Sequence, residues 1–183
     1  EKAGKRALYK IDDPFCRLWF RVVAPHRALL AQASASARLR LWHGARGALF
    51  AEAWEDLCRA SVAHFEGTDL PLSKAGPWMP AGRFWRGSGP EWDVLARSVD
   101  GRRLLLAEVK WSEAPLTAAD LRRAGEVLRH KGRPLFVPDA IEIVHALFVP
   151  RAGRGVRAPE GMHLGDAAAV LAAFGSCPSS SHG

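Results

Sequence analysis

Three ionisable residues interrupt two apolar segments in the middle of the chain. Asp93 lies inside "EWDVLARSV", and Glu108 and Lys110 end the segment "RRLLLAEVK". Burying an unpaired charge among apolar side chains is costly, so we expect these three groups to form a site. Two converging carboxylates repel each other unless a cation lies between them, and Mg²⁺ (or Mn²⁺) is the hard ion that carboxylates, water and phosphate oxygens hold. With a lysine to position water or stabilise charge on phosphate, the set predicts metal-assisted phosphodiester hydrolysis.

A simpler interpretation of the same residues stays open at this point. Glu108 and Lys110 would be an ordinary ion pair on one face of a strand end, and Asp93 an acid beside a loop. A bare D…E-x-K pattern occurs often without a catalytic role. The elements that carry the three residues therefore have to be considered.

Two strands joined by a tight turn are predicted around the three residues. Residues 91–98 and 103–110 are apolar and rich in branched side chains, and Asp100-Gly101 between them is a strong hairpin signal. The hairpin brings Asp93 to the same sheet edge as the end of the second strand.

The second strand is predicted to be central in its sheet. Both of its faces are apolar up to Ala107, as in a strand covered on two sides. Because side chains alternate along a strand, Glu108 and Lys110 share one face and lie about 7 Å apart.

The N-terminal part of the chain is predicted to be helical. A helix begins at Pro14 with Asp12 or Asp13 as its N-cap, after a short extended piece at residues 9–11, and Pro25 ends or kinks it. A second helix is predicted in "LLAQASASARLRLW". Gly44 and Gly47 are expected to break the helical structure after it.

The helix predicted over residues 48–65 carries a fourth acid. With about 100° per residue, Trp54 and its apolar neighbours form one stripe and Glu55 lies on the rim of that stripe. Glu55 is a candidate site residue, and an i,i+4 ion pair with Arg59 is the equally open alternative.

The remaining elements complete an α/β pattern. Residues 66–82 are predicted as a loop, with a short strand at 83–87. A helix with Thr117 as N-cap, a strand at 140–149 and a last helix at 163–174 follow, and "GSCPSSSHG" is predicted to be a disordered tail. The order from residue 48 is helix, three strands, helix, strand, helix.

This order and the D-x(14)-E-x-K pattern resemble the PD-(D/E)XK nuclease superfamily. The ordered set "YKIDDPFCRLWFRVV", "WEDLCR", "WDVLAR", "LLLAEVKW" and "ALFVPRAG" is similar to the C-terminal domain of unknown function of archaeal and bacterial AAA-type ATPases. The resemblance covers about residues 9–174. The proline of the superfamily motif is absent, because Trp92 precedes Asp93.

The resemblance implies a restriction-endonuclease-like core and a role for each site residue. Asp93 and Glu108 would hold the metal, Lys110 would position water or phosphate, and Glu55 would tune or share the metal site. It also implies a nuclease-like domain at 46–174, a helical extension at 1–45 that begins with the remnant of a winged helix, and a tail at 175–183. An ATPase module in the same or a longer chain is the implied partner, although the sequence contains no G-x(4)-G-K-[ST] loop.

Two function classes are therefore expected. The first is a Mg²⁺-dependent endonuclease domain that hydrolyses DNA. The second is a non-catalytic DNA- or partner-binding regulatory module of an AAA-type ATPase. The complete set of Glu55, Asp93, Glu108 and Lys110 favours the first.

The net charge of +7 permits binding to nucleic acid. A basic stretch lies on or just after the predicted helix behind the site, and its residues are candidates for phosphate contacts or for an ordinary solvated face. They are Arg122, Arg123, Arg129, Lys131 and Arg133. Trp78, Trp85 and Trp111 are either stacking platforms for bases or packing residues.

Other classes find no support in the sequence. Cys16, Cys58 and Cys177 form no C-x-x-C pair, and no His pair has zincin spacing, which argues against disulfide and zinc sites. No apolar run approaches the roughly 18 residues of a membrane span, and the basic start is unlike a signal peptide. We expect a cytoplasmic protein that is cut from a longer chain or trimmed, since the sequence lacks an initiator Met.

Overall fold

A computed structural model describes residues 11, 13–66, 71–85 and 89–175. The chain divides into two compact units, one ending at Ala53 and the other beginning at Trp54. The predicted winged-helix remnant and tail lie outside the described residues, except for Ile11 and Gly175. The domain limits at residues 45 and 174 stay predictions.

The first unit is helical, as predicted. Asp13 is the N-cap of its first helix and accepts a hydrogen bond from the backbone N–H of Cys16 at 2.7 Å, with Pro14 in the first turn. The chain does not leave the helical region at Pro25 but passes through one π turn and one 3₁₀ turn, which fits the missing N–H of proline. The segments are α1 (Pro14–Leu18), a π turn (Trp19–Val23), a 3₁₀ turn (Ala24–His26) and α2 (Arg27–Gln32).

The predicted break at Gly44 and Gly47 is wrong. Helix α3 (Ala35–Ser61) runs through both glycines and through most of the two helices that the sequence predicted separately. A glycine inside a helix costs about 1 kcal/mol relative to alanine but does not break the hydrogen-bond ladder, so neighbouring helix formers prevail. The actual break lies at residues 33–34, before α3 begins.

The second unit is a mixed α/β fold around a five-stranded sheet. The strands follow the order β1-β2-β3-β4-β5. The pairs β1–β2 and β2–β3 are antiparallel, and the pairs β3–β4 and β4–β5 are parallel. The strands are β1 (Gly82–Phe84), β2 (Trp92–Arg97), β3 (Arg103–Val109), β4 (Glu142–Phe148) and β5 (Met162–Gly165). The other helices are α4 (Pro71–Ala75), α5 (Ala118–Lys131) and α6 (Ala167–Gly175).

Strand β3 is the middle strand, as its two apolar faces predicted. One face packs in a core with the end of α3 and with α6, and the other packs in a separate core with α5. Every residue from Leu104 to Val109 is buried. Gly101, with a φ of 74°, forms the predicted turn between β2 and β3.

Helix α5 is capped at its predicted residue. Thr117 accepts a hydrogen bond from the N–H of Asp120, and the Asp120 carboxylate accepts one from the N–H of Thr117, forming a reciprocal capping box. Leu121, Ala124 and Leu128 are buried against the sheet. The cap and this apolar face fix the helix backbone.

Two short elements were not predicted. Residues 162–165 form the parallel edge strand β5 instead of the start of the last helix, because they pair with β4. Residues 71–75 form the helical turn α4 within the predicted loop. In the part of the chain that the structure describes, no helix is long and apolar enough to cross a bilayer.

The continuity of α3 gives a test of stability. Gly44 is exposed, and an added Cβ would meet no atom within 4 Å. We expect Gly44→Ala to raise the free energy of unfolding by about 1 kcal/mol, because alanine loses less backbone entropy in a helix. Urea denaturation followed by circular dichroism measures it. Gly44→Pro is the matched control and should lose about 3 kcal/mol or more; an unchanged or lower value for Gly44→Ala would contradict a continuous helix.

Candidate active site

Asp93 and Glu108 lie opposite each other where β2 begins and β3 ends. Val94 pairs with Ala107 in the antiparallel register, so the next position outward sets Asp93 against Glu108. The Asp93 Oδ2 atom accepts a hydrogen bond of 2.9 Å from the backbone N–H of Val109. The Asp93 side chain thus takes the place of a backbone acceptor at the end of the β2–β3 hydrogen-bond ladder.

Glu108 is a buried carboxylate with two ammonium partners. The residue is 5% exposed. Its Oε1 atom accepts a hydrogen bond of 2.8 Å from Lys110 Nζ, and its Oε2 atom contacts Lys131 Nζ. Because a buried charge needs partners, these two cations offset the cost of burying the Glu108 carboxylate at an apolar strand end.

The electrostatics of Asp93 reflect the same crowding. Burial raises the pKa of the Asp93 carboxyl, and the charge of Glu108 raises it further. The hydrogen bond from Val109 and the charges of Lys131 and Lys110 act in the opposite direction without cancelling the rise. Asp93 therefore lies within electrostatic reach of both lysines as well as of Glu108.

Glu55 extends the acidic group on the α3 side. Burial raises the pKa of the Glu55 carboxyl, and the charge of Asp93 raises it further, while Arg59 and Arg83 lower it. Glu55 also forms the i,i+4 ion pair with Arg59 at 3.5 Å that the alternative interpretation predicted, and its role in the site stays a prediction. The structure thus brings together all four residues that the sequence singled out.

Arg59 is a site residue that sequence reasoning treated only as a partner of Glu55. Its NH1 group donates a hydrogen bond of 2.9 Å to the main-chain oxygen of Asp93, and its NH2 group bonds Asp56 at 2.5 Å. Arg59 therefore ties α3 to the start of β2. Its position one turn after Glu55 in "WEDLCR" was the available signal.

Lys131 was predicted to contact nucleic acid but lies in the acidic site. Its side chain is 18% exposed and bonds Glu108. Of the other predicted phosphate contacts, Arg122 is exposed, Arg123 is exposed beside Asp120, and Arg129 donates to the main-chain oxygen of Glu160. Arg133 donates to the main-chain oxygen of Pro138.

The three tryptophans differ in their surroundings. Trp78 is 4% exposed and donates through Nε1 to the main-chain oxygen of Leu72, so it is a core residue. Trp85 is 50% exposed, and the guanidinium of Arg83 lies 5.9 Å from its ring centre. Trp111 is partly buried against the core on the α3 side.

A cleft of about 380 Å³ opens beside Lys110. It lies between the end of β3 and the first turns of α5. Its lining residues are Lys110, Trp111, Ser112, Leu116, Asp120, Arg123, Ala124 and Val127. The cleft gives a ligand access to the exposed side of Lys110.

A divalent ion would fit the donor type of the site. Asp93 and Glu108 supply carboxylate oxygens, the ligands that Mg²⁺ prefers. Within the described ranges, however, no three His, Cys, Asp or Glu residues are grouped so that they could hold an ion. Both oxygens of Glu108 contact lysines, so an ion on Glu108 would compete with an ammonium group for that carboxylate.

Comparison with family models places the chain among relatives. Residues 19–124 match DUF234, a family described as archaeal and bacterial proteins of unknown function. The match covers more than half of the 183 residues. The chain belongs to the DUF234 family. The DUF234 match includes Glu55, Asp93, Glu108 and Lys110, and it ends before Arg129 and Lys131.

Two further comparisons add nothing to the DUF234 assignment. No curated protein matches the chain significantly. No solved structure matches it significantly either.

The raised pKa of Asp93 predicts a pH-dependent change in stability. The folded state holds the Asp93 proton more tightly than the unfolded state, so ionised Asp93 destabilises the fold at neutral pH. We expect Asp93→Asn to raise the free energy of unfolding at pH 7 by on the order of 1 kcal/mol, because the amide oxygen still accepts from Val109. The gain should shrink as the pH falls through the raised pKa toward 3.8, which urea denaturation at several pH values measures.

Asp100→Asn is the control with the opposite sign. Hydrogen bonds from Ser98 and Arg102 lower the pKa of the Asp100 carboxyl, so the ionised form stabilises the turn. This variant should lose stability at neutral pH, and the loss should shrink as the pH falls from 3.8 through the lowered pKa. An Asp93→Asn effect that is the same at every pH would contradict the electrostatic account.

Proposed function

We propose that this chain is a nuclease-like domain that hydrolyses phosphodiester bonds in DNA with Mg²⁺ or Mn²⁺. The observation that carries the proposal is the convergence of Asp93, Glu108 and Lys110 at one end of the β2–β3 hairpin, with Glu55 acting on Asp93 from α3. Two carboxylates and a lysine at a sheet edge are the groups that such hydrolysis requires.

The proposal includes the PD-(D/E)XK fold and the link to an ATPase. The element order of helix, three strands, helix and strand supports the fold, as does β3 as a central strand parallel to β4. The ATPase link is supported by the sequence resemblance. DNA as the substrate is supported by the net charge of +7.

Each residue has a role that follows from its surroundings. Asp93 and Glu108 would hold the ion, which when bound would polarise a phosphoryl oxygen and acidify a water. The ammonium of Lys110, whose side chain is 40% exposed beside the cleft, positions water or stabilises charge on phosphate. Glu55 adds negative charge near Asp93, and Arg59 holds the main chain of Asp93 in place.

A second function is favoured by one specific observation. The two ammonium groups on Glu108 neutralise this carboxylate without any metal ion. That balance suits a non-catalytic DNA- or partner-binding regulatory module of an ATPase that has kept the fold. The two functions differ in what Lys110 contributes.

Replacement of Lys110 separates the two functions. In a hydrolase its ammonium acts on charge that develops in the transition state, so we expect Lys110→Met to remain folded, bind DNA and lose about 100-fold or more in cleavage rate. In a binding module the same change removes one of the two ammonium partners of buried Glu108, so the variant should lose stability with little change in DNA binding. A cleavage time course with Mg²⁺ and with Mn²⁺, a DNA-binding isotherm and a thermal melt measure the three properties.

Lys74→Met, on α4, is the matched control and should cleave like the wild type. Cleavage by Lys110→Met at the wild-type rate would show that the site assignment is wrong. A wild type that cuts neither duplex, single-stranded nor branched DNA would favour the binding module.

The basic surface of α5 gives a separate test of DNA binding. Arg122 and Arg123 are exposed, and each phosphate contact releases counterions. We expect the double variant Arg122→Glu, Arg123→Glu to weaken DNA binding and to reduce the slope of log affinity against log salt by about 2. Fluorescence anisotropy at several salt concentrations measures both quantities.

Arg102→Glu is the control, because Arg102 is equally exposed but lies in the turn between β2 and β3. It should leave the salt slope almost unchanged. If wild-type affinity does not depend on salt, the basic surface serves something other than DNA.

A further inference from the structure

Lys131 holds a distinctive position in the acidic site. It is the last residue of α5, and its ammonium contacts Oε2 of Glu108 while Lys110 takes Oε1. Its side chain is 18% exposed, against 40% for Lys110. The less exposed of the two ammonium groups is therefore supplied by a helix and not by the catalytic hairpin.

The charge of Lys131 also reaches the second carboxylate of the site. It favours the ionised form of Asp93, as does Lys110. A single positive charge near two carboxylates has the electrostatic effect that a bridging cation would have. Lys131 thus occupies the electrostatic place of such a cation.

We propose that Lys131 is a displaceable counter-ion of Glu108, which neutralises this carboxylate when no divalent ion is present and competes with such an ion for it. The identity of the ion rests on the proposed function. Lys131 is a positioning residue in this role, because it acts through Glu108 and not on a substrate.

The local structure allows the side chain of Lys131 to move while its backbone stays fixed. The capping box at Thr117 and the buried Leu121 and Leu128 hold α5 against the sheet. Lysine has a flexible four-carbon stem with a strongly hydrated head. An ammonium released into water regains its hydration, which offsets part of the cost of leaving Glu108.

The competition lowers the affinity of the site for a divalent ion. A positive charge at contact distance from Glu108 repels a second cation, and a neutral side chain at position 131 removes that repulsion. We therefore expect Lys131→Met to bind Mn²⁺ about 10-fold or more tightly than the wild type. Lys131→Gln, which keeps a hydrogen-bond donor for Glu108, should change in the same direction and serves if Lys131→Met does not fold.

The experiment is a calorimetric titration of the metal-free chain with Mn²⁺, paired with thermal melts. Lys74→Met is the matched control and should bind Mn²⁺ like the wild type. The gain should disappear when Lys131→Met is combined with Glu108→Gln, because it acts through that carboxylate. Without metal, Lys131→Met should melt below the wild type, and Mn²⁺ should raise its Tm more than that of the wild type.

Equal or weaker Mn²⁺ binding by both neutral variants would overturn the proposal, as would a gain that survives Glu108→Gln. DNA cleavage by the wild type together with equal Mn²⁺ affinities would refute the role of Lys131 and leave the hydrolase standing. Tighter Mn²⁺ binding by Lys131→Met without cleavage by any form would support the role of Lys131 and contradict hydrolysis. If no form binds Mn²⁺ and no form cleaves DNA, both the role of Lys131 and the proposed hydrolysis are wrong.

Discussion

A buried carboxylate at the end of the central strand is the constraint on which the site depends. Glu108 follows a run of fully buried residues in β3, where sheet neighbours and helices exclude water. The buried carboxylate therefore needs partners of opposite charge, since an isolated buried anion is unstable. Lys110, directly after the same strand, and Lys131, at the end of the helix that follows, supply these partners.

Asp93 and Glu55, the other two acids of the site, have fewer close polar partners than Glu108. Asp93 is held by a backbone N–H and by two distant ammonium charges, and Glu55 by a guanidinium at 3.5 Å. Burial is the first cause of the raised pKa of both carboxyls; the charge of Asp93 raises that of Glu55 further, and the charge of Glu108 raises that of Asp93. Such arrangements reduce stability locally and are typical of functional sites.

Much of the hairpin could be predicted because local chemistry determines it. Asp100-Gly101 fixes the turn, and the alternation and apolarity of residues 103–110 fix a central strand, so Glu108 and Lys110 had to emerge together. The continuity of α3 through Gly44 could not be predicted. A glycine disfavours the helix by about 1 kcal/mol, which is less than the summed helix-forming preferences of the neighbouring residues. Strand β5 was missed because four residues carry too little periodicity, and only pairing with β4 defines them.

The place of Lys131 depended on information that sequence patterns do not contain. A helix that connects parallel strands runs back along the sheet, so its last turn is expected far from the end of the first strand. The contact between Lys131 and Glu108 shows that the last residue of α5 nevertheless reaches the end of β3. The position of α5 depends on packing of Leu121, Ala124 and Leu128 against side chains distant in sequence.

The orientation of α5 has a further consequence for the field around the site. Its C-terminal turn carries Arg129, His130 and Lys131, and the unpaired carbonyls of a helix end amount to roughly half a negative charge. This partial charge adds to the three carboxylates, within a chain whose net charge is +7. The two ammonium groups on Glu108 offset this local negative charge, so the surroundings of the site are close to electrical balance although the chain as a whole is positive.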